Sequence, residues 1–567
     1  MTAVARPDDR STQHSEWWRS AVVYQIYPRS FADADGDGIG DLAGITGRLP
    51  ALVELGVDAV WLSPFYRSPQ ADAGYDVADH CDVDPLFGSL DDFDSMVDTA
   101  HRLGLKLIID LVPNHSSDEH PWFRAALASP PGSPERSRYL FRDGKGPDGS
   151  GPPNNWPSVF GGPAWTRLVE PDGTRGQWYM HLFDTKQPDF DWTNQEVRGE
   201  FVRVLRFWLD RGADGFRVDV AHGLVKADGL PDLGPQTGTA VTAGAFTATT
   251  GDGDAIVKSE AASPMWDQDG VHEIYREWRK VLDEYPGDRM MVAEAWVSPL
   301  PRLARYLTAD EMQQAFNFDY LSAPWDATAI RTVVDSSLEI NASEGAPTTW
   351  VLSNHDVVRH ASRFGLADLT VRPNGIGADD EQPDPVLGLR RARAATLLML
   401  ALPGSAYLYQ GEELGLPEHT ALDDRLREDP TWVRSGQIER GRDGCRVPIP
   451  WEAVDPGLGF GPTGKTWLPQ PESFAALARD RQAGMPGSTL EMYRSALSIR
   501  RRHRLGLGEL SWLDTADGVL GLRNRAVMVL ANIGEQAVQL PTGQLLLASG
   551  PLTDDRLPPD TTVWLAY

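Results

Sequence analysis

Cysteine is nearly missing from this chain: Cys81 and Cys445 are the two in 567 residues, far apart and in no metal-ligand spacing. That excludes a disulfide framework and a zinc site, and leaves room for one bridge at most. Long apolar runs are missing too, since none is long enough to span a bilayer, and the opening stretch MTAVARPDDRSTQHSEWW has no apolar signal-peptide core. A soluble, cytoplasmic protein is expected. Positive charge is short: 53 Lys+Arg against 81 Asp+Glu give a formal charge of -28, a field that repels phosphate backbones and anionic lipid. Neither nucleic acid nor a membrane is an expected partner. No repeat of the solenoid kind is present.

What is there is globular, with 41% hydrophobic and 24% charged residues, and with 19 Trp, the flat side chain that stacks on sugar rings as well as filling cores. The length suits a large catalytic core with one or two accessory domains. Short apolar runs that read as buried parallel strands begin at residues 22 (VVYQIY), 59 (AVWLSPF), 106 (KLIIDLV), 215 (GFRVDV) and 290 (MMVAEAW). Three more, QAFNFD at 314, TWVLSNHD at 349 and AYLYQG at 406, bring the count to the eight that close a parallel barrel. Between them ITGRLPALVELG, LDDFDSMVDTAHRLG and NQEVRGEFVRVLRFWLDRG carry apolar residues at helical spacing and each ends at a glycine.

The fold class expected is therefore α/β, a (β/α)8 barrel over residues 1–114 and 185–504. An inserted subdomain over 115–184, rich in Gly, Pro, Ser and Trp, follows the third strand on the face where barrel active sites form. Residues 505–567, with segments such as VMVLANI and TTVWLAY, read as a C-terminal antiparallel β domain. The stretch from 221 to 265, long and rich in Gly, Thr and Ala, reads as a mobile loop shaping the outer side of a site.

Glycosidic bonds are broken by two carboxyl groups, one attacking the anomeric carbon and one protonating the departing oxygen. Asp219 ends GFRVD, Glu294 ends MVAE and Asp356 follows VLSNH, so three strands each bring one acid to the C-terminal mouth. Arg217, His115 and His355 accompany them. These residues carry a family resemblance. DLVPNH at 110, GFRVDV at 215, EAW at 294 and SNHD at 353 resemble the four signature blocks of glycoside hydrolase family 13, QPDFDW at 187 resembles its fifth, and YQIYPRSF at 24 with YQGEELG at 409 are similar to its α-glucosidase and oligo-1,6-glucosidase branch.

The resemblance implies Asp219 as nucleophile, Glu294 as general acid/base and Asp356 as a third carboxylate gripping sugar hydroxyls, with His115 and His355 donating to the bound glucose. It implies a C-terminal β-sandwich as well. Arg217, two residues before Asp219 and on the same side of the strand, is expected to hold it ionised. The segment DAGYD is similar to a block that makes Asp72 and Tyr75 the wall and platform of a blind pocket, and Arg446 in RDGCRVPIPW is then the arginine that pairs with Asp72. Ala73, Asp191, Val447 and Ile449 depart from the family pattern. From Asp33 the run DADGDGIGD sets oxygens at alternate positions around glycines, as in a calcium loop, and matches a metal loop of this branch; Asp33, Asp35, Asp37, Asp41 and the carbonyl of Ile39 are the candidate ligands of a structural Ca or Mg ion.

The function that follows is a retaining, exo-acting α-glucosidase for short α-glucosides, monomeric or homodimeric, with no organic cofactor. Val220, after the nucleophile, resembles members with α-1,6 activity, and a mixed α-1,4 and α-1,6 profile is expected. Two rivals stay open: a transglucosylase or sugar isomerase of the same family, which passes the covalent glucosyl group to a sugar, and a non-catalytic binding relative, which lacks the full set of acids.

Overall fold

The computed structural model describes residues 16–170, 172–234 and 263–566. Most of the 221–265 loop read from composition lies outside the described residues. Eight parallel strands form one sheet: β1 (Val22–Ile26), β2 (Ala59–Leu62), β3 (Lys106–Leu111), β4 (Gly215–Val218), β5 (Met290–Ala293), β6 (Gln314–Ala315), β7 (Thr349–Val351) and β8 (Ser405–Tyr409). Their order is β6-β5-β4-β3-β2-β1-β8-β7, so β1 pairs with both β2 and β8 and the sheet rolls into the barrel. β6 and β7 are shorter than the apolar runs suggested, because Asn317 turns away to cap the helix Phe318–Ser322 and Ser353 opens a loop.

Side chains alternate across a strand, and here the alternation sorts them into two cores. Val23, Ala59, Trp61, Ile108, Met290, Val292, Val351 and Tyr407 pack together inside the barrel. Their neighbours Val22, Tyr24, Val60, Leu107, Ile109, Met291 and Trp350 belong to the larger core outside it, where helices cover the strands. Both faces are therefore dry, which is why the strands read as continuous apolar runs. The helix Leu42–Leu55 is capped by Asp41 and stopped by Gly56 at φ 101; the helix Leu90–Arg102 starts with a capping box between Ser89 and Asp92.

After β3 the chain forms a helix, Pro121–Ala128, and a small antiparallel sheet of Phe141–Arg142, Arg175–Met180 and Trp165–Val169. Its apolar side chains, among them Trp156, Phe160, Trp165 and Phe183, share a core with Val220 and Trp266 of the barrel. At the C-terminal end Leu510–Trp512, Val519–Asn524, Val527–Asn532, Thr561–Ala566 and Gln544–Ala548 make a five-stranded antiparallel sheet. One face joins the main core through Leu520, Leu522, Val527, Val529 and Trp564. The other, with Met528, Leu530, Val563 and Leu565, is covered by a second ladder of Val538–Gln539 and Arg556–Leu557. Cys81 and Cys445 are both free thiols. No helix among the described residues is long and apolar enough to cross a membrane.

Trp564 is fully buried and donates from Nε1 to the carbonyl of Leu397 at 3.0 Å, on the helix Pro385–Ala401. Trp564→Ala is expected to cost about 3–5 kcal/mol and to lower the thermal midpoint measured by calorimetry; an unmoved midpoint would show that the sheet and barrel are energetically separate.

Candidate active site

The inward parity of the barrel strands continues past the apolar layer to the mouth. Gln25 follows Val23, Ser63 follows Trp61, Asp110 follows Ile108, Arg217 and Asp219 follow Gly215, and Glu294 follows Val292, so the layer above the dry core is polar. Asp110, Arg217, Asp219 and Glu294 are all buried. One guanidinium faces three of the carboxyl groups: Arg217 Nη1 lies 2.5 Å from Asp219 and 2.8 Å from Asp110, and Nη2 lies 3.7 Å from Glu294. The two acids read from the sequence as the reacting pair thus meet at one cation.

Burial pushes the Asp219 carboxyl up, with Arg217 opposing and Glu294 adding to the rise. Burial also raises Glu294, again against Arg217. The guanidinium touches Asp219 and stands off from Glu294, so its attraction favours the ionised form of Asp219 more than that of Glu294. Asp110 is raised by burial to about 6 in spite of Arg217. Its place in the layer was legible as the first residue of DLVPNH; its role as a second anchor of Arg217 was not, because that contact spans 107 residues of sequence.

Glu294 Oε2 accepts the backbone N–H of Val220 at 2.7 Å, and Val220 has φ 46. A β-branched residue in the left-handed region costs about 1–3 kcal/mol. The conformation turns the peptide after Asp219 toward the neighbouring acid, which couples the backbone of one to the side chain of the other.

A cavity opens over these groups, lined by Asp72, Tyr75, His115 and Asp356 with Phe160 and Phe183 of the inserted segment. Its end differs from the sequence reading in one respect. Asp72 pairs with Arg442, Nη2 to Oδ1 at 2.7 Å, and Arg446 turns instead to Asp356 at 3.0 Å and to the carbonyl of His355 at 2.8 Å. Arg442 also reaches Asp356 at 3.1 Å and Asp429 at 2.5 Å. The motif points to Arg446, but Arg442, four residues earlier in the same RDGCR segment, lines the cavity and carries the contact to Asp72. Burial alone would raise Asp356, but His355, Arg442 and Arg446 together hold it well below the usual carboxylate range. Asp72 is raised by burial against Arg442.

The two histidines part company. His115 borders the cavity, with Nε2 3.2 Å from the carbonyl oxygen of Tyr75 and 3.1 Å from the amide of Gln187, and burial lowers it to about 4. His355 is fully buried beneath the cavity and stacks on the Tyr75 ring, centroids 5.4 Å apart. Its ring nitrogens face Gln25 and the Tyr75 hydroxyl, each at 2.6 Å. With the Gln25 amide donating to Nδ1, the ring proton sits on Nε2 and is directed to Tyr75, whose hydroxyl donates to Asp110 at 3.2 Å. His355 therefore meets Tyr75 and Asp356 and is not among the residues lining the cavity.

In the loop after β1, oxygens of Asp33, Asp35 and Asp37 lie within 4.8 Å of one another. Asp33 accepts the N–H of Gly36 at 2.6 Å and of Gly38 at 2.9 Å, and Asp37 accepts that of Ile39 at 2.7 Å. Asp41 is not in this cluster: its oxygens accept from Ala34 at 2.8 Å and Gly44 at 2.6 Å as it caps the helix Leu42–Leu55. Three converging carboxylates suit a hard divalent cation.

Comparison with known proteins agrees with this geometry. Residues 25–507 match the family model described as the α-amylase catalytic domain. A probable α-glucosidase of Rhizobium meliloti (strain 1021) is 39% identical over 94% of this chain and 92% of its own length, and an oligo-1,6-glucosidase of Parageobacillus thermoglucosidasius is 35% identical over 86% and 84%. Among solved structures, the α-glucosyl transfer enzyme XgtA superposes with a TM-score of 0.81 at 36% identity, covering 97% of this chain and 99% of that one. The trehalulose synthase MutB from Pseudomonas mesoacidophila MX-45 does so with 0.81 at 29% identity, covering 97% and 99%. A (β/α)8 barrel carrying acids at the mouths of its fourth and fifth strands, matched along nearly its whole length, places the chain in the α-amylase family, glycoside hydrolase family 13, in its α-glucosidase branch, and makes it a glycoside hydrolase.

Proposed function

We propose that the chain is a retaining, exo-acting α-glucosidase that removes glucose from the non-reducing end of short α-glucosides. The observation that carries this reading is the pairing of Asp219 and Glu294 around Arg217 at the floor of a cavity closed by the Asp72–Arg442 ion pair. A closed end admits one terminal sugar and leaves the bond beyond it at the two acids.

In this mechanism Asp219, ionised by contact with Arg217, attacks the anomeric carbon while Glu294 gives its proton to the departing oxygen. The bond from that carbon to the leaving group breaks as the bond to the Asp219 carboxylate forms. Glu294, now ionised, takes a proton from water, and the resulting hydroxide equivalent displaces Asp219 and releases glucose. The Val220 N–H and Arg217 stabilise the charge left on Glu294 between the two steps. Asp356, kept ionised by Arg442 and Arg446, and Asp72 grip sugar hydroxyls, and His115 lies at the cavity wall beside them.

Transfer to a second sugar is the alternative outcome, and the likeness to XgtA and MutB favours keeping it in view. Product analysis on maltose, isomaltose and sucrose separates the two: glucose alone supports hydrolysis, whereas longer or rearranged sugars as main products would replace this reading with a transferase or isomerase. A divalent cation, calcium or magnesium, held by Asp33, Asp35 and Asp37 would neutralise three like charges and fasten the loop after β1.

Three outcomes are expected. Activity falls at low pH as Asp219 takes up a proton and falls at high pH as Glu294 loses its own; because burial raises Glu294, the high-pH limb lies above the ordinary carboxylate range, and its absence from a kcat/KM profile would remove Glu294 as the acid. Glu294→Gln loses about 10²–10⁴-fold in maltose hydrolysis, loses less on p-nitrophenyl α-glucoside, whose leaving group needs no proton, and accumulates a species heavier by one anhydroglucose unit in intact-mass spectra. Treatment with a chelator lowers the melting temperature and added calcium restores it, whereas Asp33→Ala melts low with or without the ion; a melting curve indifferent to chelation argues against the cation.

A further inference from the structure

The roof of the cavity comes from two loops of the inserted segment. Phe160 stands on Ser158–Gly162 and Phe183 on Leu182–Asp184, and the two rings meet edge to face with centroids 5.7 Å apart. The loops are tied to each other: the Val159 N–H donates to the Leu182 carbonyl at 2.8 Å, and the Ser158 hydroxyl to the Phe183 carbonyl at 2.7 Å. They move, if at all, as one piece. The barrel side of the cavity is completed by Thr431, on the short helix Pro430–Arg434 that follows β8.

One side chain joins these two parts. Arg434 donates to the Gly161 carbonyl from Nη2 at 2.7 Å and from Nε at 3.2 Å, and its Nη1 lies 3.5 Å from the Asp184 carboxylate. Gly161 and Gly162 have φ 99 and 76, the left-handed conformations that let this tight turn present its carbonyl outward. Arg434 is largely shielded, its side chain 16% exposed, and it contacts both roof loops at once. It is not among the residues lining the cavity.

We propose that Arg434 is a specificity-determining positioning residue: by clasping the Phe160 and Phe183 loops to the Pro430–Arg434 helix it closes the ring of chain around the cavity and restricts the site to short glucosides. The inference rests on the α-glucosidase reading for its substrate class. Phe160 and Phe183 line the cavity away from the acids, so loosening the roof weakens ground-state binding of a glucoside more than it slows the chemistry on the floor, where Asp219 and Glu294 face Arg217.

The test compares full-length wild type with Arg434→Ala and Arg434→Lys on maltose and maltotetraose, and maps backbone hydrogen exchange in both variants. Arg434→Ala is expected to raise KM for maltose about tenfold with kcat within about threefold, and to shift the ratio of kcat/KM toward maltotetraose. Exchange should quicken at 158–162 and 182–184 with the barrel strands unchanged. Arg434→Lys, which keeps the charge but loses the fork, should fall between. Unchanged exchange in those loops, or an unchanged KM and chain-length preference, overturns the clasp. Should Arg434→Ala prove unstable, the lysine variant carries the same comparison, and wild-type KM and exchange from it would overturn the proposal equally. Failure of the wild type to cleave maltose would instead count against the functional reading, while the exchange result still decides the clasp.

Discussion

A single guanidinium, that of Arg217, lies against three buried carboxyl groups, and the site depends on it. Removing one charge from a buried, mutually compensating set is far costlier than removing an exposed ion pair. Asp110 anchors Arg217 from the third strand and Asp219 receives its closest contact on the fourth. Glu294, on the fifth, stands just out of reach. That inequality distinguishes two acids that composition leaves equivalent: the cation opposes the effect of burial more strongly at Asp219 than at Glu294.

A second set of compensating charges closes the far end of the cavity. Arg442 serves Asp72, Asp356 and Asp429, while Arg446 reinforces Asp356 from below. Both arginines are inside a region where desolvation would otherwise favour neutral acids. The result is an ionised Asp356 on a floor where burial pushes Asp219 and Glu294 toward their neutral forms. Between the two sets runs a chain of hydrogen bonds through the uncharged Gln25, His355 and Tyr75 that ends on Asp110 and fixes the platform of the pocket.

Much of this was legible before any coordinates. The eight strands appear as apolar runs because both faces of each are dry, the acids stand at the ends of those runs, and strand parity puts Arg217 on the same side as Asp219. Partnerships were harder to see. The sequence reading paired Asp72 with Arg446, but the contact belongs to Arg442, 370 residues from Asp72 in sequence, and nothing in a linear motif says which of two nearby arginines turns inward. Asp41 continues the alternating acids from Asp33, but it stands apart from their cluster, with one oxygen accepting from Gly44 as it caps the helix Leu42–Leu55 and the other from Ala34 of the loop. The stacking of His355 on Tyr75 was likewise not legible, since the two are 280 residues apart in sequence.

The C-terminal sheet bears on how the polypeptide acquires its shape during synthesis. The helix Pro385–Ala401, ten of whose residues are buried, lies before β8 in sequence, yet it is covered by the strand Thr561–Ala566 through Thr562 to Ala394 at 2.9 Å and Trp564 to Leu397 at 3.0 Å. A nascent barrel on the ribosome therefore carries an uncovered oily flank for some 160 further residues of translation, about ten to thirty seconds at ordinary elongation rates. The chain's strongly negative charge, -28 at pH 7, makes like copies repel and so works against contact between such flanks.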